Sequence, residues 1–167
     1  MEEMKIHRLG QNEIDAGFSI VVEYCDSLGV TVRESPAAFA QEYFRPDSGF
    51  WLAYIHDEVA GCIALRRLPA HAVPSAELKR MYVRPHFRSR GIGEALLRAA
   101  QSHAQACNYT ELYLDTMSTM IGAARLYERN GFQHCERYND NPQASIFMKK
   151  KLNLAAATVL SDSTRRG

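Results

Sequence analysis

A basic turn that contains two glycines divides residues 76–100 (AELKRMYVRPHFRSRGIGEALLRAA) into a strand-like half and a helical half. Met81 and Val83 belong to an alternating, partly apolar run that stops at Pro85, and a helical pattern begins directly behind the turn at 88–93. Glycine lets the backbone turn tightly, and the first N–H groups of a helix have no acceptor inside the helix. The stretch therefore predicts a strand, a turn suited to bind phosphate, and a helix, in that order.

Two well-known phosphate-binding motifs do not fit this turn. A Walker-type loop needs Lys and then Ser or Thr after its last glycine, whereas Gly93 is followed by Glu94. A dinucleotide fingerprint that starts at Gly91 needs a third small residue at the position that Leu96 occupies. A nucleotide-binding protein of Rossmann type stays open only as an alternative, which predicts affinity for NAD over CoA. An ordinary glycine turn before a helix is the other alternative.

A third motif does fit the turn. Arg88, Gly91 and Gly93 match the pattern Arg/Gln-x-x-Gly-x-Gly/Ala, behind a strand that contains Val-x-Pro. This motif resembles the acyl-CoA-binding motif of the GCN5-related N-acetyltransferases, the GNAT family.

A second block of sequence strengthens the resemblance. The segment LDT at 114–116 is followed by AARLYERNGF at 123–132, which is similar to the strand–helix–strand end of the same family. Either block alone could reflect ordinary helix packing. Because both occur in the right order, the resemblance extends over residues 50–152, whereas the first part of the chain matches by predicted pattern only.

Strand and helix patterns alternate along the whole chain. They predict strands at 4–9, 50–55, 59–65, 76–83, 111–115, 132–138 and 144–152, and helices at 11–28, 37–43, 92–107 and 120–129. The order β-α-α-β-β-β-α-β-α-β-β predicts a mixed α/β fold. The resemblance implies the GNAT acyl-CoA N-acyltransferase fold, a central, mostly antiparallel mixed sheet of six to seven strands with helices on both faces.

Length and composition limit the domains and the partners. The 167 residues fit one domain, which we assign to 1–152, with 153–167 as a tail in which 154–160 could form a short helix. The 20 basic and 19 acidic side chains give no large net field, which disfavours nucleic acid and anionic membranes as partners. Residues 1–10 (MEEMKIHRLG) are charged and lack the apolar run of a leader, and no window approaches the ~18 apolar residues of a membrane span, so we expect neither. Four cysteines without a C-x-x-C motif predict free thiols and a cytoplasmic protein.

The resemblance implies acetyl-CoA as the acetyl donor and no metal. Pantetheine would follow the central strand by strand-like hydrogen bonds, and pyrophosphate would bind the N–H groups of the turn. The implied donor-binding residues are Met81, Tyr82, Val83, Arg88, Ser89, Arg90, Gly91, Ile92, Gly93, Glu94, Met120 and Ala123. Met120 departs from the family pattern, because many members carry at that position an Asn whose amide contacts the pantetheine arm.

Two catalytic residues are implied by position. Tyr127 matches the helix tyrosine that points at the coenzyme sulfur, where a phenol can protonate the departing thiolate. Glu77 lies on the central strand six residues before Val83 and matches the glutamate base of histone-acetylating members. Glu77 could take the amine proton directly or through a water, or it could be a carboxylate paired with Lys79 or Arg80.

The predicted activity is direct acetyl transfer from acetyl-CoA to a primary amine of a small molecule or amino acid. Acetylation of a protein N-terminus or lysine is the alternative within the enzyme class, and a non-catalytic acyl-CoA-binding sensor is the alternative outside it. We expect the early helices and the loops at 68–75 and 139–143 to shape the acceptor pocket. Arg66 and Arg67 could meet a ligand carboxylate there or simply be solvated, and His103 is expected to be packed or interfacial. A homodimer is possible for this family, although no exposed apolar stripe compels one.

Overall fold

The computed structural model describes residues 2–69 and 71–153. Those residues form seven strands, four α-helices and two short 3-10 turns. The strands are β1 Met4–Arg8, β2 Gly49–Ile55, β3 Glu58–Arg67, β4 Ser75–Val83, β5 Glu111–Thr116, β6 Gln133–His134 and β7 Ile146–Lys151. The helices are α1 Ile14–Ser27, α2 Pro36–Tyr43, α3 Ile92–Ala106 and α4 Ile121–Arg129.

All seven strands join one sheet in the order β1-β2-β3-β4-β5-β7-β6. Every neighbouring pair is antiparallel except β4 and β5, which run parallel. The predicted mixed α/β class and the implied mostly antiparallel sheet are confirmed.

The parallel pair separates part of the way along its length. Its register runs from Ser75↔Glu111 to Leu78↔Leu114, and β4 then continues to Val83 without β5 beside it. At the same level β4 carries a bulge, because its register with β3 shifts and Arg80 has φ +57°. A bulge bends its strand and increases the local twist. The sheet therefore opens into a fork between β4 and β5.

Helices cover both faces of the sheet over separate apolar clusters. On one face, α3 and α4 pack over a cluster that includes Ile63, Leu78 and Leu97. On the other face, α1 and α2 pack over a cluster that includes Phe39, Phe50 and Leu52. Because side chains alternate between faces along a strand, β4 contributes to both clusters.

The segment between α4 and β7 differs from the prediction. A strand was expected over 132–138, and only Gln133–His134 has strand geometry. The chain leaves the sheet because the Arg137 guanidinium binds the carbonyl oxygens of Asn141 and Ala144, at 3.0 Å each. The predicted tail falls, beyond Asn153, outside the described residues.

Candidate active site

The fork opens into a cavity of about 620 Å³. One wall is the edge of β4, another is α4, and α1 with the loop that follows it forms a third. The end of β5 and a loop before β7 complete the lining. The lining residues used below are Tyr24, Arg33, Glu34, Leu78, Lys79, Arg80, Met81, Asp115, Met120, Ala123, Tyr127 and Asn141.

One face of α4 is turned to the cavity. Ala123 and Tyr127 are four residues apart, a spacing that places side chains on the same side of a helix. Met120, the N-cap residue just before α4, lines the cavity beside them. Tyr127 is 5% exposed and packs edge-on against Phe132. Burial, followed by the proximity of Tyr24, raises the pKa of the Tyr127 hydroxyl well above its usual value. The hydroxyl is therefore protonated at neutral pH and can act as a proton donor.

Met120 faces α1 across the cavity. Its sulfur lies 3.8 Å from the Thr116 hydroxyl and 4.0 Å from the Tyr24 hydroxyl, both of which can donate to it. A thioether is a weak acceptor and has no N–H to donate. At this position the chain thus offers an apolar, polarizable contact in place of the amide that many GNAT members carry.

The predicted pantetheine strand has an open backbone edge. Tyr82 turns its ring into the core, where it stacks on Tyr24 with ring centroids 5.2 Å apart, and Val83 packs on the opposite face of the sheet. Of the three predicted residues, only Met81 lines the cavity with its side chain. Because β5 ends its pairing at Leu78, the backbone of the last part of β4 faces the fork without a neighbouring strand.

The glycine turn has the geometry of an anion-binding site. Ser89 and Gly91 have φ of +64° and +78°, and the first hydrogen bond of α3 runs from the Ala95 N–H to the Gly91 carbonyl at 3.1 Å. The N–H groups of Ile92, Gly93 and Glu94 therefore have no acceptor within the helix. A Cβ at position 93 would approach Leu126 of α4 to 3.1 Å, so Gly93 allows α3 to start close to the helix that carries Tyr127.

The basic side chains of the turn contact backbone and a carboxylate. Arg88 donates from Nε to the Val83 carbonyl at 3.0 Å, which ties the turn to the end of β4. Arg90 pairs with Glu2 at 2.9 Å. Both side chains are exposed, and Arg88 keeps further guanidinium donors beside the turn. The turn fits the pyrophosphate of acetyl-CoA, and the open strand edge fits its pantetheine arm.

Glu77 is buried and its carboxylate is occupied. It has no exposed surface, and Oε1 accepts from Arg66 Nε at 2.9 Å while Oε2 accepts from the Tyr138 hydroxyl at 2.6 Å and from Asn139 Nδ2 at 3.3 Å. Lys79 lies 3.8 Å away. Glu77 does not line the cavity, so it would have to release one of these donors before it accepted a proton directly.

Arg66 is one-third exposed, but two carboxylates already bind its guanidinium, so neither a ligand contact nor simple solvation describes it. It bridges Glu77 and Glu42, with its Nη1 2.9 Å from Glu42 Oε1. Arg66 and Glu77 are directly opposite each other on β3 and β4, which explains why the pair forms.

Asp115, Tyr24 and Arg80 line the cavity, although the sequence did not predict them as site residues. Asp115 lies at the end of β5, where Oδ2 accepts from Asn139 Nδ2 at 2.6 Å and from Asn141 Nδ2 at 3.4 Å. Tyr24 belongs to α1, and Arg80 belongs to the bulge. A carboxylate that ends a buried strand is a usable signal for Asp115, whereas the sequence gives no signal for a bulge at an arginine.

His103 lies away from the cavity and is packed, as predicted. Its ring meets the Trp51 ring edge-on at 5.5 Å, and Nε2 lies 3.1 Å from the Pro46 carbonyl. Burial lowers the pKa of the imidazole, and Arg8 adds to that effect.

Residues 2–69 and 71–153 contain neither a membrane-spanning helix nor a cluster of metal ligands. No helix there is long and apolar enough to cross a bilayer. No group of three or more His, Cys, Asp or Glu side chains there is arranged to hold a metal ion.

Comparison with known proteins agrees with this geometry. The family model described as "Acetyltransferase (GNAT) family" matches residues 19–132. The chain is 35% identical over 141 residues to the uncharacterized N-acetyltransferase YsnE of Bacillus subtilis, which covers 80% of this chain and 91% of that protein. It is also 38% identical over 109 residues to human N-acetylaspartate synthetase, covering 64% of this chain and 35% of that protein.

A solved structure shares the fold. A GNAT-family acetyltransferase from Staphylococcus aureus superposes with a TM-score of 0.75 over 90% of this chain and 100% of that one, at 21% identity. The chain belongs to the GNAT family of acetyltransferases. It is an acyltransferase of the N-acetyltransferase class.

Proposed function

We propose that the protein transfers the acetyl group of acetyl-CoA directly to a primary amine of a small molecule or amino acid. The observation that carries the proposal is the cavity at the fork, which has Tyr127 on one wall and the open edge of β4 on another. Family membership supports N-acetyl transfer, and the geometry of the turn supports a donor that carries a pyrophosphate.

The chain's own groups fit the donor in three places. The N–H groups of Ile92, Gly93 and Glu94 would hold the pyrophosphate, and the edge of β4 from Met81 to Val83 would hold the pantetheine amides. Met120 and Ala123 would pack beside the arm. When bound, acetyl-CoA supplies an acetyl group already activated as a thioester.

The amine must lose a proton before it can attack. A lysine-like amine has a pKa of ~10.4, so its free base at pH 7 costs about 4–5 kcal/mol. Glu77 is the proposed proton acceptor, and its burial limits it to acting through the Tyr138 hydroxyl or a water. Asp115 is a carboxylate that lines the cavity itself, and it shares Asn139 with Glu77.

Tyr127 would complete the transfer by protonating the coenzyme thiolate. Burial disfavours both the Tyr127 phenolate and the coenzyme thiolate. The surroundings that raise the pKa of the phenol therefore also favour the protonated thiol. Backbone N–H groups at Met81 or Val83 would stabilise the developing oxyanion. Because those donors belong to the backbone, side-chain substitutions there leave them in place.

The size of the cavity supports a small acceptor. About 620 Å³ is within the ~300–1,000 Å³ typical of small-molecule sites, and the loops at 28–34 and 141–144 contribute to its lining. The name of the human relative, N-acetylaspartate synthetase, gives an amino acid as the acetylated compound of that protein. Protein acetylation would instead require an open groove for an extended peptide.

The test is thiol release from acetyl-CoA, followed with a chromogenic disulfide, across amines, amino acids, polyamines and short peptides. Release that depends on a small amine or amino acid supports the proposal. Release with peptides alone would establish a protein acetyltransferase in its place. Tight binding of acetyl-CoA without release for any acceptor would indicate a sensor, and absence of binding would refute the assignment of the turn.

A further inference from the structure

Arg80 is a charged residue of the cavity that the mechanism above does not use. It lies at the bulge of β4, and its guanidinium lines the cavity. Nη2 donates to Glu34 Oε1 at 3.0 Å, and Nη1 lies 3.4 Å from the Cys25 sulfur. Nε is buried and, among the described residues, has no hydrogen-bond partner.

This arrangement leaves Nε of the guanidinium without an acceptor, although the Tyr43 hydroxyl also interacts with the Arg80 side chain. A buried donor without an acceptor costs about as much as a lost hydrogen bond, and a thiol sulfur is only a weak acceptor. The backbone adds a second cost, because Arg80 has φ +57°, a conformation that is unfavourable for residues with a side chain. Proteins retain such unfavourable arrangements where a binding site depends on their geometry.

The charges around the cavity favour an anionic group next to Arg80. Lys79 and Arg33 also line the cavity, which gives three lining cations beside the carboxylates of Glu34 and Asp115. Lys79 is also paired with the buried Glu77 carboxylate, 3.8 Å away. Asp115 is already bound by two amides. Glu34 is the carboxylate that contacts Arg80, and it belongs to a loop between α1 and α2 rather than to the sheet.

We propose that Arg80 binds a carboxylate of the acceptor, so that the preferred acceptor is an amine that also carries a carboxylate, such as an amino acid. The acceptor carboxylate would bind Arg80 at a position that the Glu34 carboxylate now partly occupies. Arg80 directly precedes Met81, whose N–H is a proposed oxyanion donor, so the carboxylate would be held next to the reacting amine. This inference rests on the proposed function and specifies its substrate class.

The experiment compares matched acceptors in the full-length protein. A panel of L-amino acids is assayed beside the corresponding amino acid amides, which keep the amine and the size but lose the carboxylate charge. The measured quantity is the ratio of kcat/KM for acid over amide, in the wild type and in Arg80→Gln, Arg80→Lys and Glu34→Gln. Thermal stabilisation by each compound in the presence of CoA gives a second readout that needs no turnover.

The wild type should prefer the acid, and Arg80→Gln should reduce the acid-to-amide ratio about 10- to 100-fold, mainly through KM. Arg80→Lys should restore part of the ratio, because it keeps the charge but not the forked geometry. Glu34→Gln should lower KM for the acid, since it removes the competing carboxylate.

Two results would overturn the inference. One is an unchanged acid-to-amide ratio in Arg80→Gln, whether or not total activity falls. The other is equal activity or equal stabilisation by acid and amide in the wild type, which would leave the proposed N-acetyltransferase function intact. If neither acids nor amides release thiol, amino acids are excluded as acceptors, and the stabilisation measurement still decides whether Arg80 binds a carboxylate.

Discussion

Replacing Glu77 with glutamine tests how the buried carboxylate contributes to folding. Glu77→Gln preserves the shape of the side chain but removes its charge, and it leaves one oxygen where there were two. The carboxylate now accepts from Arg66 on Oε1 and from Tyr138 and Asn139 on Oε2. A glutamine amide must direct its NH₂ group at one of these two sets of donors.

The expected loss of stability is about 3 kcal/mol. Removing one partner of a buried ion pair costs about 3–5 kcal/mol, and the lower end applies because Arg66 is one-third exposed and keeps Glu42. For a chain of this length, each kcal/mol lowers Tm by about 2–4 °C. Glu77→Gln should therefore melt about 6–12 °C below the wild type at pH 7.

Thermal unfolding followed by circular dichroism, with urea unfolding as a check, measures this difference. Glu42→Gln is the matched control, because it removes the exposed carboxylate from the same arginine and should cost less than about 1 kcal/mol. A Glu77→Gln variant that melts within 2 °C of the wild type would refute the argument. The dependence of kcat/KM on pH is also measured below the melting temperature. If the fall of kcat/KM at low pH is lost in Glu77→Gln but retained in Asp115→Asn, Glu77 is the base.

Two further predictions concern the turn and the packed histidine. Gly91→Ala should cost about 1–2 kcal/mol of stability and raise KM for acetyl-CoA several-fold, because φ +78° strains any side chain, whereas Gly122→Ala in open space on α4 should not lower stability. An equal effect of both variants would show that the turn geometry is unimportant. Because folding lowers the pKa of His103, the unfolded chain binds a proton on this imidazole more readily than the folded protein does. The contribution of His103 to the free energy of unfolding is therefore present above pH ~6.5 and is lost as pH falls through that value toward the folded pKa. His103→Gln should show a smaller loss of unfolding free energy between pH 7 and pH 5 than the wild type, and an identical pH dependence would contradict the assignment.

The fold could be predicted from local pattern because most strands and helices have clear periods. The strands at 50–55 and 59–65 correspond to β2 Gly49–Ile55 and β3 Glu58–Arg67, which are only one or two residues longer at their ends. The prediction of a strand over 132–138 was wrong, because Arg137 binds backbone carbonyls of its own loop. A sequence pattern of alternating residues does not reveal such a competing contact.

Residues of the candidate site could be predicted where a local motif determines the backbone. They could not be predicted where the pairing of distant strands determines which side chains meet. Ala123 and Tyr127 reach one cavity because helix spacing puts them on one face of α4, and Met120 joins them from the N-cap position. The Arg66–Glu77 pair depends on the register of β3 with β4, and the bulge at Arg80 depends on three-dimensional packing. Neither property is encoded in the residue types at those positions.

The central claim is that Tyr127 is the proton donor of an acetyl transfer that takes place in the cavity. Tyr127→Phe keeps the packing against Phe132 and removes only the hydroxyl. The matched control is Tyr109→Phe, which removes a hydroxyl that donates to the Asp47 carbonyl and does not line this cavity. The most direct measurement is thiol release from acetyl-CoA with the best acceptor, for the wild type and both variants.

We expect kcat to fall about 100-fold or more in Tyr127→Phe, with acetyl-CoA binding retained, because a general acid typically contributes 10²–10⁴-fold. Tyr109→Phe should keep kcat within a few-fold of the wild type. A Tyr127→Phe variant that releases thiol at the wild-type rate would contradict the account.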